Sequence, residues 1–564
     1  MHVYNSNKGQ LGLHLPEKLL VDNFAGGGGA SMGIEMAFGR PVDIAINHDP
    51  EAISMHTVNH PDTKHYCEDV WDVDPVKACN DKTVEFAWFS PDCKHFSKAK
   101  GGTPVEKNIR GLAWVAVKWC MSVDVEGFML ENVEEFLTWG PLNEQNKPCK
   151  DRKGQTFDGF YKALTTGLHP THPSWNEAVE ALGIEKDSAS QIKLVKGLGY
   201  DVEYKIIRAS ALGVPTTRKR LYLKARKDGL PIYWAEQKYK PISSLEVQNG
   251  TALPERSAAE CIDWSIPCKS IFNRPKPLAE KTLARIARGI KRFVLDSPNP
   301  FVMEVNGTLH EVQQADLRDD GNSLNETRST LLTPYIVRIG QTGFGGNGMQ
   351  YPLSKPLTTV TTKQEHCLVT PVIAPVEITD NSELCMSFLA QHYGGNYTGA
   401  GIDLNKPLGT ITSVDHHALV TSHLVKLRGN ETGQEVTHPM PTITAGGMHI
   451  GEVRAFLIKY YGTDTGQSLN DPLHTVTTND RFGLVIIRGE AYRIVDIAMR
   501  MLEPHELYLA QGFPPYYIHD RNADGTKMTK KAQVRMCGNS VSPGVAEAEI
   551  KAYIKANQER EMAA

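Results

Sequence analysis

Across residues 18–224, short apolar runs alternate with segments of helical period. Leu19-Leu20-Val21, Asp43-Ile44-Ala45-Ile46, Phe86-Ala87-Trp88-Phe89 and Gly127-Phe128-Met129-Leu130 carry apolar residues at consecutive positions. That is the pattern of strands covered on both faces. Val202-Glu203-Tyr204-Lys205-Ile206-Ile207 and Leu221-Tyr222-Leu223 add two more, and helical stretches such as 30–38 and 188–197 lie between strands. The alternation predicts an α/β fold with a doubly wound, mostly parallel sheet. Segment 140–176, rich in Pro, Gly, Thr and Lys, interrupts the order and is expected as a surface insertion.

The texture changes near Tyr239. Segment 272–293 sets Arg274, Lys276, Lys281, Arg285, Arg288, Lys291 and Arg292 against one acid, Glu280. It reads either as a solvated amphipathic helix or as a contact for phosphates. An internal repeat follows: Pro356-Leu357-Thr358-Thr359-Val360-Thr361 recurs as Pro407-Leu408-Gly409-Thr410-Ile411-Thr412, as Pro439-Met440-Pro441-Thr442-Ile443-Thr444 and as Pro472-Leu473-His474-Thr475-Val476-Thr477. Successive threonines lie about 51, 32 and 33 residues apart. Each copy follows an apolar run and a Gly-rich loop, so 335–485 is expected to be mostly β. Its loops are either a ligand surface or part of a β-solenoid scaffold. After Arg493 the pattern turns helical and ends in an amphipathic helix near 545–558. The expected organisation is a domain at 15–235, a β-rich inserted region at 236–488, and a return to the first domain at 489–560.

A length of 564 residues fits two or three domains. The formal charge of −4 excludes a polybasic protein that holds nucleic acid by bulk charge, and leaves a local basic groove open. No apolar run reaches the roughly 18 residues of a membrane span, so no membrane partner is expected. Met1-His2-Val3-Tyr4-Asn5 lacks a basic-then-apolar leader. Ten scattered cysteines without Cys-x-x-Cys or zinc spacing point to free thiols in a reducing, cytoplasmic compartment and to no metal.

The candidate chemistry gathers at strand ends. The first strand runs into Asp22-Asn23-Phe24-Ala25-Gly26-Gly27-Gly28-Gly29 ahead of a helix, a turn whose glycines let a ligand approach the backbone. Without Gly-Lys-Ser/Thr it is no phosphate loop of a nucleotide hydrolase. Asn47-His48-Asp49 ends the next strand and Cys67-Glu68-Asp69 follows later. An acid or amide there suits ribose hydroxyls, and Asp69 suits an adenine amine, as an adenosyl cofactor requires. Ser90-Pro91-Asp92-Cys93-Lys94-His95 puts a cysteine in a polar loop just past a strand, with Lys94 and His95 lowering its pKa and Asp92 opposing them. Glu131-Asn132-Val133 brings an acid to the same edge, and Arg218-Lys219-Arg220 precedes another strand. A thiol, a carboxyl group and two arginines make a catalytic set.

These residues, in this order, resemble the cytosine-C5 DNA methyltransferase family across most of the chain. Asp22-x-Phe24-Ala25-Gly26-x-Gly28-Gly29 is similar to its S-adenosylmethionine motif, and Pro91-Asp92-Cys93 with Phe96-Ser97 to its nucleophile loop. Glu131-Asn132-Val133 and Arg218-x-Arg220 match two further motifs. Arg500-Met501-Leu502-x-Pro504-x-Glu506 with Gln511-Gly512-Phe513-Pro514 resembles the motif after the recognition domain. Gly538-Asn539-Ser540-Val541 with Pro543 resembles the closing motif beside the cofactor. Three positions depart from the pattern: Asp92 and Lys94 flank the cysteine in place of Pro and Gln, Asn47 replaces a ribose-binding Glu, and Thr216 replaces Gln.

The resemblance implies S-adenosylmethionine held by Asp22, Phe24, Ala25, Gly26, Gly28, Gly29, Asn47, Asp69, Pro91, Asn539, Ser540 and Val541. It implies Cys93 as nucleophile and Glu131, Arg218 and Arg220 around the cytosine. The repeat would be an enlarged target-recognition region, with Thr475-Val476 as the family's Thr-Leu or Thr-Ile pair. The implied partner is double-stranded DNA bound by a monomer, in a phage, prophage or restriction–modification setting that would add a cognate restriction endonuclease. Two alternatives remain at this stage: the same reaction on RNA such as tRNA, and a catalytically silent DNA-binding relative. The long insertion speaks against the first, and the complete catalytic set against the second.

Overall fold

The computed structural model describes residues 18–91, 111–141, 149–272, 274–295, 302–305, 330–339, 346–375, 388–391, 402–403, 417–420, 423–426, 434–435, 450–453, 484–487 and 490–563. By compactness the chain divides into two units. Met1–Ile266, Arg338–Leu368 and Met501–Ala564 form one; Pro267–Val337 and Val369–Arg500 form the other.

The first unit is built on seven strands: β1 (Lys18–Asn23), β2 (Ile44–Ile46), β3 (Lys64–Tyr66), β4 (Thr83–Phe89), β5 (Gly127–Asn132), β6 (Asp201–Arg208) and β7 (Lys219–Arg226). They lie in the order β3-β2-β1-β4-β5-β7-β6. Pairs from β3 through β5 are parallel, whereas β7 runs antiparallel to both of its neighbours. The six strands expected from apolar runs are all present. The seventh, β3, reads Lys-His-Tyr and sits at the sheet edge, where burial demands no apolar run.

Helices α1 (Gly29–Phe38), α2 (Pro50–Asn59), α3 (Pro75–Cys79), α4 (Trp114–Ser122), α5 (Gln155–Leu164), α6 (Trp175–Leu182) and α7 (Ala189–Lys196) follow the strands. After the inserted region come α8 (Pro504–Gln511), α9 (Lys530–Asn539) and α10 (Pro543–Ala563). Their ends have local causes. Asp49 and Asp74 cap α2 and α3, each followed by Pro at the first helical position. α1 stops at Gly39, whose φ of 71° lets its N–H reach the Glu35 carbonyl at 2.8 Å.

Alternation along the strands sends side chains to two cores. One face buries Val21, Ile46, Phe89 and Leu130 with Trp114, Phe136, Trp139 and Phe160. The other buries Leu20, Phe86, Trp88 and Met129 against α1 and α10 through Ile34, Val545, Ala546 and Ile550. Segment 140–176 is therefore not a surface insertion. Within it α5 buries Phe157, Phe160, Ala163 and Leu164, and the Phe160 ring lies 5.7 Å from Trp114 and 6.0 Å from Trp139. Its apolar positions repeat at helical spacing, and the Gly, Pro and Lys around them obscured it.

A separate antiparallel sheet orders Lys269–Ser270, Glu490–Met501, His366–Pro375, Thr330–Leu332 and Met303–Val305. Two smaller antiparallel sheets centre on Phe388–Gln391 and His423–Lys426. The expected return to helix at Arg493 is corrected: a strand continues through Met501, and helix resumes at Pro504. The basic segment forms the helix Glu280–Ile290, with Ile286 and Ile290 buried and Lys281 and Arg288 exposed.

β7 also ties α10 to the sheet. Lys224 and Glu549 form a fully buried ion pair at 2.7 Å, and Lys224 Nζ further donates to the Tyr233 and Glu549 carbonyls. Arg226 bonds Asp228 through both arms, the Asn557 amide oxygen and the Tyr553 carbonyl. Removing one member of a buried pair strands the other charge. Lys224→Met should therefore destabilise this region by about 3–5 kcal/mol, and adding Glu549→Leu should restore most of the loss. Native-state hydrogen exchange of the β7 amides measures it; unchanged protection in the single variant would refute it.

Candidate active site

Parallel strands bring their carboxyl ends to one edge of the sheet, so Asn23, Asn47, Cys67, Ser90 and Val133 begin loops on that side. The reversed strand adds what the others cannot. In its register with β5, Glu131 faces Tyr222 and Asn132 faces Leu221, so the start of β7 delivers Arg218 and Arg220 to the same edge. Glu131 and Arg218 are buried. Arg218 Nη2 lies 3.4 Å and Arg220 Nε 3.2 Å from Glu131 Oε1. Both pairs use one oxygen, and no described residue bonds Oε2. Arg218 Nη1 also donates to the Gly538 carbonyl at 3.2 Å. Two guanidiniums thus fix the carboxyl group while leaving one acceptor for a ligand.

Asn132 Nδ2 donates to the carbonyl of buried Pro91 at 3.2 Å, which ties the end of β5 to the end of β4. Cys93, with Asp92 and Lys94, lies outside the described residues. The buried thiols Cys79 and Cys261 are pushed up by desolvation to about 11 and about 12, the behaviour of inert structural cysteines.

The Gly-rich turn has two functions. Phe24 (φ 66°), Gly26 (φ 52°) and Gly28 (φ 84°) all occupy the left-handed region, which reverses the chain between β1 and α1. Gly28 and Gly29 are needed for protein packing. A side chain on Gly28 would run into the Tyr517 hydroxyl, and one on Gly29 into Val541 and Ser540. At Gly26, by contrast, the Cβ position meets nothing nearer than the Phe24 carbonyl, at 3.7 Å, so the turn is open there. The closing motif therefore sits directly on the turn, with Ser540 and Val541 buried and Asn539 exposed.

Three buried polar atoms at the end of β1 have no partner among the described residues: Asp22 Oδ1 and both Asn23 amide atoms. An unsatisfied buried polar atom is costly, so this cluster fits a polar ligand at the sheet edge. Asn47 uses its amide oxygen to accept from Asp49 N at 2.9 Å, turning the chain into α2. Asp69 is exposed and accepts from Trp71 N at 3.0 Å. Each has its remaining side-chain atoms for a ligand.

Two features escaped the sequence. Arg535 on α9 pairs with Asp49 and Glu51 at the start of α2, and despite burial this holds Asp49 below its ordinary value. Behind the turn runs a hydrogen-bonded file: Ser31 Oγ donates to Asp22 Oδ2 at 2.7 Å, His56 Nε2 meets Ser31 Oγ at 2.9 Å, and His65 Nε2 meets His56 Nδ1 at 2.8 Å. Burial first, then the neighbouring histidines, lowers His56 well below its usual range. His56 on α2 and His60 at its C-cap, four residues apart, were the available signal. Thr475 and Val476 lie outside the described residues, as do the second, third and fourth copies of the repeat.

An open α/β sheet with polar groups collected beyond its carboxyl ends defines a ligand-binding domain of the doubly wound class. The model of the C-5 cytosine-specific DNA methylase family matches residues 20–157. Among curated relatives, a type II methyltransferase, M.XorII of Xanthomonas oryzae pv. oryzae, is 26% identical over 219 residues. That match takes in 38% of this chain and 41% of that protein, so the chain spans well under half of its relative's length. Among solved structures, S. pombe Dnmt2 methyltransferase aligns with 95% of this chain and 98% of its own at 12% identity and a TM-score of 0.37. Entamoeba histolytica methyltransferase EhMeth aligns with 95% and 98% at 10% identity and a TM-score of 0.36. Among the described residues no helix is long and apolar enough to cross a membrane.

Asp22 yields a pH test. Burial pushes its carboxyl from an ordinary 3.8 up to about 7, against the hydrogen bond from Ser31. The fold thus favours the protonated acid: this stabilisation is complete below the unfolded value and is lost as pH rises through about 7. Asp22→Asn keeps a neutral group at every pH. Its stability relative to the wild type should rise from pH 4 to pH 8 by a few kcal/mol, on the order of 1.4 per pKa unit. Urea unfolding across that range tests it; a gap independent of pH would count against it.

Proposed function

We propose that this chain is a DNA cytosine-C5 methyltransferase that uses S-adenosylmethionine. The observation that carries the reading is Glu131, clamped by Arg218 and Arg220 through one oxygen at the carboxyl edge of the sheet, with no described residue bonded to the other oxygen.

The unpartnered atoms of Asp22 and Asn23 and the open part of the turn at Phe24, Ala25 and Gly26 fit S-adenosylmethionine. Asn47, Asp69, Pro91, Asn539, Ser540 and Val541 complete its contacts, while Gly28 and Gly29 give the turn its shape. When bound, this cofactor supplies the methyl group that cytosine C5 accepts.

The protein's own groups make C5 reactive. Cytosine C5 is a poor nucleophile in the aromatic ring, so the Cys93 thiolate adds to C6, forming a C–S bond and moving an electron pair into the ring. Glu131 stabilises that charge by hydrogen bonding to N3 and giving it a proton. Arg220 holds the cytosine O2, and Arg218 keeps Glu131 in place. Once C5 carries the methyl group, loss of the C5 proton to a base, departure of the Cys93 thiolate and return of the N3 proton to Glu131 restore the ring. A stacked base cannot reach these groups, so the cytosine is flipped out of the duplex. The basic segment 274–292 holds phosphates, and the repeats, including Thr475-Val476, read the flanking bases. The antiparallel unit is in this reading the target-recognition region.

Incubation with tritiated S-adenosylmethionine and unmodified duplex DNA should place label on cytosine C5. Label found only in RNA, or nowhere, would overturn the proposal. Duplexes with 5-fluorocytosine at the target site should trap a covalent adduct that Cys93→Ser abolishes. Glu131→Gln should slow single-turnover transfer by about 100- to 10,000-fold.

A further inference from the structure

The first copy of the repeat lies among the described residues. Residues 338–368 belong to the unit that holds the parallel sheet. Within them, Pro356-Leu357-Thr358-Thr359-Val360-Thr361 lies along the approach to the arginines. Thr217 N donates to the Leu357 carbonyl at 2.8 Å, and Leu357 N donates to the Pro215 carbonyl at 2.9 Å. This is a parallel bridge between Thr216 and Leu357, two residues before Arg218. The Thr216 hydroxyl accepts from Arg218 N at 3.3 Å.

The same segment also meets the other end of the arginine. A Cβ on Gly538 would collide with the Thr361 carbonyl group and the Thr362 amide, which are backbone atoms with little freedom to move aside. Gly538 is the residue whose carbonyl accepts from Arg218. The copy is itself held firmly. Leu357 and Val360 are buried. The Thr361 hydroxyl donates to Glu365 at 3.2 Å, and Arg338 grips the same carboxylate at 2.9 Å. Thr358 Oγ1 meets His366 Nε2 at 2.8 Å, and the Gln364 amide donates to the Leu502 carbonyl.

We infer that the first repeat copy is a positioning strap of the catalytic unit: Leu357 and Thr361 fix Thr216–Thr217 and Gly538, and through them the Arg218 guanidinium that orients Glu131. This rests on the proposed function, because the strap matters to rate only if Glu131 acts on the bound base. Gly538 is the residue on which the geometry converges, and Glu365 is the internal brace. Both act through Arg218 and touch no reacting atom.

The strap is tested by a double-mutant cycle on single-turnover methyl transfer. Gly538→Ala should lower the rate about tenfold or more, since a small misplacement of a positioning group costs that much. S-adenosylmethionine affinity, measured by calorimetry, should change less than about twofold, because the strap acts on Arg218 and not on the cofactor. In an Arg218→Lys background, Gly538→Ala should have almost no further effect. Rate losses that multiply in full would show that Gly538 does not act through Arg218 and would overturn the strap. Glu365→Gln, which keeps the volume and loses the charge held by Arg338, should give a smaller loss with the same dependence on Arg218; a loss independent of Arg218 would again overturn it. Should the wild-type protein transfer no methyl group, the proposed function fails separately. The strap is then judged by hydrogen exchange, where Gly538→Ala should deprotect the Leu357 and Thr217 amides together. Unchanged protection would overturn it.

Discussion

The reversal of β7 between β5 and β6 is the constraint on which the site depends. A sheet of parallel strands alone can offer only residues that follow strands at its carboxyl edge. One antiparallel strand adds residues that precede it, and here these are Arg218 and Arg220. The partner on β5, Glu131, is buried, and a buried carboxylate is stable only with matched charge and hydrogen bonds. The ion pairs therefore hold the site together and define it at once. Farther along the same strand, Lys224 and Arg226 face away from the edge and lock α10 onto the sheet.

That lock matters because the sheet is completed from distant sequence. α10 covers the face formed by Leu20, Phe86, Trp88 and Met129. α9 reaches α2 through Arg535, Asp49 and Glu51, and Tyr517 donates to the Gly27 carbonyl at 2.6 Å. The segments after Met501 thus supply both the wall behind the Gly-rich turn and the surface on which it closes.

The strands of the sheet were legible because burial on both faces demands unbroken apolar runs, which survive reading in one dimension. α5 was hidden by the Gly, Pro and Lys that flank it, although Phe157, Phe160 and Leu164 carry a helical stripe. The strand ending at Met501 was read as helix because Ile494, Ile497 and Ala498 also satisfy helical spacing; only pairing with distant strands distinguishes the two. At the site, the turn, Glu131 and the arginines could be picked out by residue type and position. The file from Asp22 through Ser31 and His56 to His65 could not, since each link joins residues brought together only by folding. Nor could sequence tell which glycines of the turn serve packing. Gly28 and Gly29 are explained by Tyr517, Ser540 and Val541, more than 480 positions away.

The edge that remains open is costly to maintain. Phe24 holds a backbone conformation that a bulky side chain rarely adopts, and Asp22 and Asn23 keep buried polar atoms without partners. Each feature opposes folding, and each persists only where neighbours over-determine it. Those neighbours are at hand: Ser31 holds one Asp22 oxygen, Ile46 accepts from Ala25 N, and Val541 fills the space beside Gly29. A well-packed turn with such atoms left over is preorganised for a polar ligand, because the energy of satisfying them is gained only when that ligand arrives. The rigid frame around the turn comes from β1, β2 and the segments after Met501. The groups left open at the turn are therefore held by segments that lie outside residues 369–500.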